Sequence, residues 1–174
     1  MEETPYEIER KYLIRMPDLD WLNAAASRSH IVQTYLLSDQ KGRSERVRSR
    51  TDEDQTVYTH TKKTRVTAMK RIEIEKEISF EEYERLLQRA DPKRRAIEKD
   101  RYCLHTNGLV YEIDVFPFWN DRAFLEIELK DENQTFPWPE GLECIREVTD
   151  DGKYTNSALA LQIPEEELQK EEKK

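Results

Sequence analysis

Cysteine, histidine and glycine are scarce in this 174-residue sequence, and each shortage argues against a class of site. Two cysteines, Cys103 and Cys144, are too few for a disulfide framework and lack the spacing of metal ligands. The three histidines show no pair at a ligand-like interval, which argues against zinc. Four glycines leave no evident glycine-rich phosphate loop, and neither a Ser-His-Asp set nor a Cys-His pair is evident.

Long apolar runs are missing as well. The N-terminus is acidic and polar, unlike a signal peptide, and no later stretch is long enough to span a bilayer. The formal net charge of −8 argues against a general binder of nucleic acid or anionic membranes. We therefore expect a cytoplasmic protein that binds neither. A single domain is expected over residues 1–174, with its core at about 6–164 and a charged tail at 165–174.

Charged residues are abundant, at 38% of the chain, and they alternate with aliphatic ones. In the opening segment Glu7, Glu9 and Lys11 occupy every second position, with Ile8 and Ile14 on the opposite parity. Successive side chains of a strand point to opposite faces, so two carboxylates and an ammonium share one surface. The opening segment is therefore predicted to be a strand with one charged and one apolar face.

The same alternation recurs along the chain and predicts eight strands and three short helices. The strands are expected at about 7–14, 31–37, 43–50, 56–62, 71–78, 96–105, 109–116 and 124–129. Helices are expected at about 17–29, 79–89 and 154–163. Turns are predicted at 39–42 and at Asn107-Gly108, residues 143–150 stay unassigned, and the tail at 165–174 is expected to be solvated, without chemistry of its own.

The charged faces have two explanations. For a single E-x-E-x-K segment, a face turned to water is the simpler one. Repetition favours the other, because Arg46, Arg48 and Arg50 share one face while Glu126 and Glu128 form a carboxylate pair on another strand. If such faces point inward, the cations hold a polyanion and the carboxylates hold divalent metals that bridge to it. An ordinary barrel with an apolar interior does not fit this pattern.

These motifs, taken in order, resemble the CYTH superfamily, also called triphosphate tunnel metalloenzymes, over essentially residues 6–164. The opening Glu7-Ile8-Glu9-Arg10-Lys11-Tyr12-Leu13 is similar to the bacterial form of the family's E-x-E-x-K signature. Each motif alone is weak, and their ordered occurrence carries the resemblance. The other matching segments are Gln33-Thr34-Tyr35-Leu36, Arg46-Val47-Arg48, Thr61-Lys62, Arg71-Ile72-Glu73-Ile74-Glu75, Glu98-Lys99-Asp100-Arg101-Tyr102, Glu112-Ile113-Asp114-Val115-Phe116, Glu126-Ile127-Glu128, Glu147-Val148-Thr149 and Lys153-Tyr154-Thr155-Asn156.

The resemblance implies an α+β fold dominated by β structure: an eight-stranded antiparallel barrel with a few peripheral helices and a linear triphosphate along its axis. It implies Mg²⁺ or Mn²⁺ as the cofactor, held by Glu7, Glu9, Asp114, Glu126 and Glu128. Carboxylates that support this metal site would be Glu73, Glu75 and Glu112. Substrate contacts would come from Lys11, Arg46, Arg48, Lys62, Arg71, Lys99, Arg101 and Lys153, with Lys11, Glu9 and Glu128 in the catalytic centre.

The resulting hypothesis is a divalent-metal-dependent hydrolase of inorganic triphosphate that needs no covalent nucleophile. One alternative is an adenylyl cyclase of class IV type, and others are a nucleoside or thiamine triphosphatase. A non-catalytic binder of polyphosphate or nucleotides is a further alternative, but buried carboxylates without metal would give it no advantage. Whether the protein forms a homodimer is left open.

Overall fold

A computed structural model describes residues 6–38 and 43–168, so the turn predicted at 39–42 lies outside the described residues. It contains nine strands, three short α-helices and a turn of 3₁₀ helix at Gly152–Tyr154. The helices are α1 (Leu19–Ala25), α2 (Phe80–Leu87) and α3 (Asn156–Leu161). The strands are β1 (Tyr6–Arg15), β2 (Ser27–Tyr35), β3 (Arg43–Asp52), β4 (Gln55–Arg65), β5 (Lys70–Ile78), β6 (Ile97–Thr106), β7 (Leu109–Val115), β8 (Arg122–Leu129) and β9 (Cys144–Glu147).

Eight of the strands form a closed antiparallel barrel. Hydrogen-bonded neighbours follow the order β5-β4-β3-β2-β6-β7-β8-β1, and the first residues of β1 pair with β5 to close the ring. Strand β9 pairs with the later part of β1, at Tyr12 to Ile14, and so lies outside the ring. The predicted fold class is confirmed, and β9 assigns part of the segment that the sequence left open.

Most of the apolar core lies outside the barrel wall. Alternate residues of β1, β6, β7 and β8 point outward, where α1 and the loop that follows β8 cover them. Leu22 of α1 is fully buried there, and Phe136 and Trp138 of the loop pack against the same cluster. A second outer cluster joins Val47 of β3 to the α2 residues Tyr83 and Leu86, through the amphipathic face predicted for that helix.

A third cluster fills part of the barrel near the ends of β1, β7 and β8. It combines inward residues such as Leu13, Phe116 and Phe124 with Trp119 and with Leu159 of α3. Its rings contact edge to face, for example Trp119 against Phe124 with ring centres 5.2 Å apart. The remaining interior is lined by charged side chains, so the barrel is apolar where α3 packs and charged elsewhere.

Several element boundaries differ from those predicted. The first helix ends at Ala25, because Ser27–Tyr35 already pairs with β3 and β6, and β2 therefore starts earlier than expected. Strand β4 runs to Arg65, beyond the predicted strand end at residue 62, because it pairs with β5 as far as Arg71. In the described residues, no helix has the length and apolar character needed to cross a membrane.

The described start of the tail is held in place rather than freely solvated. The Glu166 carboxylate accepts hydrogen bonds from Arg146 of β9 and from the Tyr154 hydroxyl, and its backbone carbonyl accepts one from Arg122. Leu168 packs against the aromatic cluster inside the barrel end. The expectation of a solvated charge run is wrong for Glu166 and Leu168, which these contacts hold, whereas Glu165 and Glu167 are exposed as expected.

Candidate functional site

A cavity of about 670 Å³ occupies the charged part of the barrel. All eight barrel strands contribute side chains to it, and those that contribute several do so mostly at alternate positions, as the two-residue period of a strand requires. The sequence-predicted residues that line it are Glu7, Glu9, Lys11, Arg46, Arg48, Arg71, Glu73, Glu75, Arg101, Glu112, Glu126 and Glu128. The structure therefore brings together cations and carboxylates that lie on separate stretches of the sequence.

Carboxylates of β1 and β8 form what we call the acidic end of the cavity, defined by Glu7, Glu9 and Glu128. Glu9 lies directly opposite Glu128 in the antiparallel register. Burial, and then the Glu126 charge, raise the pKa of Glu9 to about 7, although Arg71 Nη1 donates to Glu9 Oε1 at 2.8 Å. The pKa of Glu7 is raised by burial and its contact with Glu73, and that of Glu128 by burial and the charges of Glu7 and Glu9. These carboxylates carry more negative charge than their cationic neighbours offset.

The arginine wall is the corresponding excess of positive charge, formed by Arg46, Arg48 and Arg50 on β3. Burial, followed by the charges of Arg46 and Arg101, lowers the pKa of Arg48 to about 10. Its nearest carboxylate is Glu75, at 3.5 Å from Arg48 Nη2. The buried Nε atoms of Arg46 and Arg48 have no hydrogen-bond partner among the described residues. Guanidinium groups held in this way are suited to binding an anion.

Between the two lies a cluster of matched charges, which we call the floor: Asp114, Lys99, Arg101, Glu126 and Lys11. Asp114 is fully buried and accepts from Lys99 Nζ at 2.8 Å and from Arg101 Nε at 2.8 Å. Burial alone would raise the pKa of Asp114, but the Arg101 and Lys99 charges lower it well below its usual range. Lys11 Nζ lies 3.4 Å from Glu126 Oε1 and 4.1 Å from the Phe124 ring centre. The floor is thus internally neutralised.

Comparison with known proteins agrees with this geometry. The family described as "CYTH domain" matches residues 5–139. The chain belongs to the CYTH domain family. It is 32% identical over 166 residues to a Nitrosomonas europaea protein named inorganic triphosphatase, covering 91% of this chain and 99% of that one.

Solved structures extend the comparison of this CYTH chain. A crystal structure of an inorganic triphosphatase is 30% identical, with a TM-score of 0.56 and coverage of 95% of this chain and 99% of that one. A protein of Pyrococcus horikoshii OT3 has a TM-score of 0.55 at 18% identity, covering 72% of this chain and 80% of that one, and shows the shared fold alone. Of these three relatives, the two that are at least 30% identical to this chain are both named inorganic triphosphatase.

One predicted substrate lysine of this CYTH domain is not where the sequence placed it. Lys62 is exposed on the outer face of β4, on the same side as Tyr58, which packs against Tyr83 of α2. Its neighbour Lys63 lines the cavity, with Nζ 3.3 Å from Glu7 and 3.8 Å from Glu73. The correction follows from strand parity, since the face of β4 that carries Lys62 is the one that packs on α2.

Three other predicted positions lie outside the cavity lining. Lys99 and Asp114 are buried in the floor, and both carboxylate oxygens of Asp114 already accept hydrogen bonds from Lys99 or Arg101, which disfavours Asp114 as a metal ligand. Lys153 is exposed and lines a separate surface groove together with Arg10 and Glu147. In this structure it does not complete a mouth of the barrel cavity, because the turn of 3₁₀ helix at Gly152–Tyr154 projects it away from that space.

The structure also adds cavity residues that sequence reasoning did not assign. Lys63 and Arg65 lie between the strands predicted at 56–62 and 71–78, and only the pairing of β4 with β5 reveals that they belong to a strand. Tyr35 belongs to a matched motif but received no role, although its buried ring borders the cavity beside Arg46. Arg94 lies in the loop before β6, and no sequence signal linked it to the cavity.

A divalent cation fits the donor chemistry of the acidic end. Among residues 6–38 and 43–168, no three Asp, Glu, His or Cys side chains already converge as metal ligands. The carboxylates of Glu7, Glu9 and Glu128 nevertheless offer only oxygen donors, which Mg²⁺ and Mn²⁺ prefer. Glu7 Oε2 is buried and accepts no hydrogen bond from the described residues, although Lys63 Nζ lies nearby. A bound cation would offset both the burial and the repulsion between carboxylates that raise the pKa values of Glu7, Glu9 and Glu128.

Proposed function

We propose that this protein hydrolyses inorganic triphosphate in the barrel cavity with the help of Mg²⁺ or Mn²⁺. The observation that carries the proposal is the pair of opposite, incompletely neutralised surfaces that face one cavity: the acidic end and the arginine wall. In a complex of a divalent cation with a polyanion, the cation would neutralise the acidic end and the polyanion would neutralise the arginine wall. The relative named inorganic triphosphatase supports the same activity.

Roles follow from where each side chain lies. Glu7, Glu9 and Glu128 would hold the divalent cation, with Glu73, Glu75 and Glu112 close enough to support its charge. Asp114 would keep Lys99 and Arg101 in place rather than bind metal, and Glu126 would do the same for Lys11. Phosphate oxygens would be bound by Lys11, Arg46, Arg48, Lys63, Arg71 and Arg101.

Hydrolysis of triphosphate requires positive charge close to the transferred phosphoryl group and a water molecule oriented to attack it. When bound, the metal neutralises phosphate charge and lowers the pKa of a coordinated water. Lys11, Arg46 and Arg48 stabilise the negative charge on the transferred phosphoryl group, while a carboxylate of Glu9 or Glu128 orients the water. The water oxygen bonds to a terminal phosphorus, the phosphoanhydride P–O bond breaks, and phosphate and pyrophosphate leave. The proton lost by the water passes to a carboxylate or to solvent.

A free triphosphate suits this cavity better than its adenosine ester. It carries more charge with less bulk. The described lining contains no tryptophan, and its two tyrosines, Tyr35 and Tyr154, are buried in the aromatic cluster and leave no open ring face for an adenine. Trp119 lies in the aromatic cluster, and Trp138 packs against Tyr12 and donates to the Leu142 carbonyl at 2.7 Å. We expect kcat/KM for triphosphate to exceed that for ATP by roughly 10- to 200-fold, a typical range for discrimination by fit.

The test is product analysis with triphosphate, ATP and thiamine triphosphate side by side at matched free Mg²⁺. Phosphate and pyrophosphate from triphosphate, with the highest kcat/KM, are expected. Cyclic AMP with pyrophosphate as the main products from ATP would replace the proposal by an adenylyl cyclase. Binding of triphosphate without turnover in the presence of either Mg²⁺ or Mn²⁺ would identify a non-catalytic binder instead.

A further inference from the structure

The loop between α2 and β6 contains a tight turn that presents one arginine to the cavity. Its sequence is Asp91-Pro92-Lys93-Arg94, with aspartate and proline at the positions that favour a β-turn. The Arg94 N–H donates to the Asp91 carbonyl at 3.1 Å, which closes the turn. The Asp91 carboxylate accepts from the Lys93 N–H at 2.9 Å, so the side chain stabilises the same turn.

This turn is attached to the barrel on both sides. The Asp91 N–H donates to the carbonyl of Tyr35, the last residue of β2, at 2.9 Å. The Arg95 N–H donates to the Ala160 carbonyl in α3 at 2.8 Å. An isolated β-bridge joins Ala90 to Leu36 on the adjoining side. The backbone of Arg94 is thus held between β2 and α3, unlike that of a freely moving surface loop.

The guanidinium group of Arg94 is also held, but only in part. Its Nη1 donates to Asp91 Oδ2 at 2.6 Å, and its Nε lies 3.4 Å from the Ser157 carbonyl. Its Nη2 has no hydrogen-bond acceptor in the part of the chain that the structure describes. Arg94 lines the same cavity as Arg46, and Arg43 and Arg65 line it as well. Arg43 and Arg65 add to the positive charge of the arginine wall from β3 and β4, and Arg94 extends this charge beyond the barrel strands.

We propose that Arg94, anchored by Asp91, is a further substrate-binding residue that contacts a terminal phosphate group of the triphosphate. The inference deepens the proposed triphosphatase function and rests on it. A fixed guanidinium with unused donors is matched to the oxygens of a phosphate group, and its anchoring lowers the entropy lost on binding. Because the carboxylate of Asp91 uses one Nη1 hydrogen, the donors of Nη2 are left for the ligand.

The decisive comparison is Arg94→Gln against Arg95→Gln. Arg95 is the exposed neighbour and carries the same charge, so the pair separates a local contact from the loss of one positive charge. For Arg94→Gln we expect KM for triphosphate to rise by about 10-fold or more, as loss of a hydrogen bond to a charged group predicts, with a much smaller change in kcat. Arg95→Gln is expected to match the wild type, and Arg94→Lys to recover part of the loss because it keeps the charge without the fork.

A second measurement does not depend on turnover. Triphosphate added in EDTA should raise the melting temperature of the wild type and of Arg95→Gln, and raise that of Arg94→Gln by clearly less, while the three proteins melt alike without ligand. Equal KM and equal ligand-induced shifts for the two glutamine variants would overturn the role of Arg94 and leave the proposed function intact. A wild type that neither binds nor hydrolyses triphosphate would overturn both.

Discussion

The floor of the cavity contains the same residue types as its two walls, the acidic end and the arginine wall. Charges of opposite sign are paired in the floor, whereas charges of like sign adjoin in each wall. In the floor, Asp114 accepts from Lys99 and Arg101, and Lys11 lies beside Glu126, so each charge has a partner of the other sign. In the walls, like charges adjoin: Glu7, Glu9 and Glu128 on one side, and the guanidinium groups of β3 on the other. Burial and charges of like sign raise the pKa of Glu9 to about 7 and lower that of Arg48 to about 10. In the floor, burial lowers the pKa of Lys99 to about 8, but the charges of Arg101 and Lys99 hold the pKa of Asp114 below its usual range despite burial.

This contrast separates charges that maintain the fold from charges that await a ligand. A buried pair that is already matched gains little from a ligand, and removing one partner leaves the other unpaired. A cluster of like charges weakens the protein until an ion of the opposite sign binds. Removing a carboxylate of the floor, Asp114 or Glu126, should therefore lower stability first, whereas changes in the acidic end and the arginine wall should lower activity and leave the fold intact.

The largest effect is expected from the floor. Asp114→Asn leaves Lys99 and Arg101 buried without their shared anion, and we expect a loss of about 3–5 kcal/mol in the free energy of unfolding. Asp100→Asn is the control, because Asp100 lies on the outer face of β6 in a partly exposed pair with Arg28 and should cost less than about 1 kcal/mol. Urea titration of both variants measures the difference. Equal stabilities would show that the floor is not a structural ion cluster.

Next is the acidic end. Glu128→Gln keeps the shape of the side chain and removes its charge, so triphosphate turnover should fall by roughly 100-fold or more while unfolding is hardly affected. Removal of metal with EDTA should abolish turnover of the wild type. Glu98→Gln removes the same charge from an exposed site on β6 and should remain active. Full activity of Glu128→Gln or of the metal-free enzyme would contradict a metal role for this end.

The arginine wall should respond in two opposite ways. Arg48→Gln removes one of several phosphate contacts, and we expect kcat/KM to fall by about 10-fold, while relief of repulsion raises the melting temperature by about 2–4 °C. Arg28→Gln, on the outer face of β2, provides the control for charge alone. Differential scanning fluorimetry and initial rates test both. If Arg48→Gln loses stability and hydrolyses triphosphate at the wild-type rate, Arg48 has a structural role like that of the ion pairs in the floor.

The smallest effect concerns pH. Glu9 has a pKa raised to about 7 in the folded protein, against an ordinary value of 4.5, so the folded state binds its proton more tightly than the unfolded state. The stability from this group is full below about pH 4.5 and is lost as the pH rises towards 7. In EDTA, the wild type should lose roughly 1–3 kcal/mol more stability than Glu9→Gln between about pH 5 and 8.

Added Mg²⁺ should reverse this trend, since the cation binds the ionised carboxylate. Parallel curves for the wild type and Glu9→Gln in EDTA would show that the Glu9 charge is already matched by Arg71.

The alternation of charge was sufficient to predict the strands but not the side each residue faces. The spacing of Arg71, Glu73 and Glu75 predicted a shared face of β5, the family resemblance implied that this face lines the cavity, and the structure places all three in the lining. The cavity position assigned to Lys62 is wrong. Strand β4 carries polar side chains on both faces, and nothing in its sequence distinguishes the inner face. Contact with α2 decides that choice, and this contact depends on residues distant in sequence.

The sequence by itself determined the strand-rich architecture, the family and most of the charged residues of the cavity, because these follow from local periodicity and ordered motifs. Only the tertiary structure decided which charges neutralise one another. Asp114 and Glu128 are indistinguishable as acidic residues on alternating strands, yet one is buried between two cations and the other is exposed beside two carboxylates. Arg94 and Glu166 acquire their contacts in the same way, because Coulomb interactions depend on distance in space and not on separation along the chain.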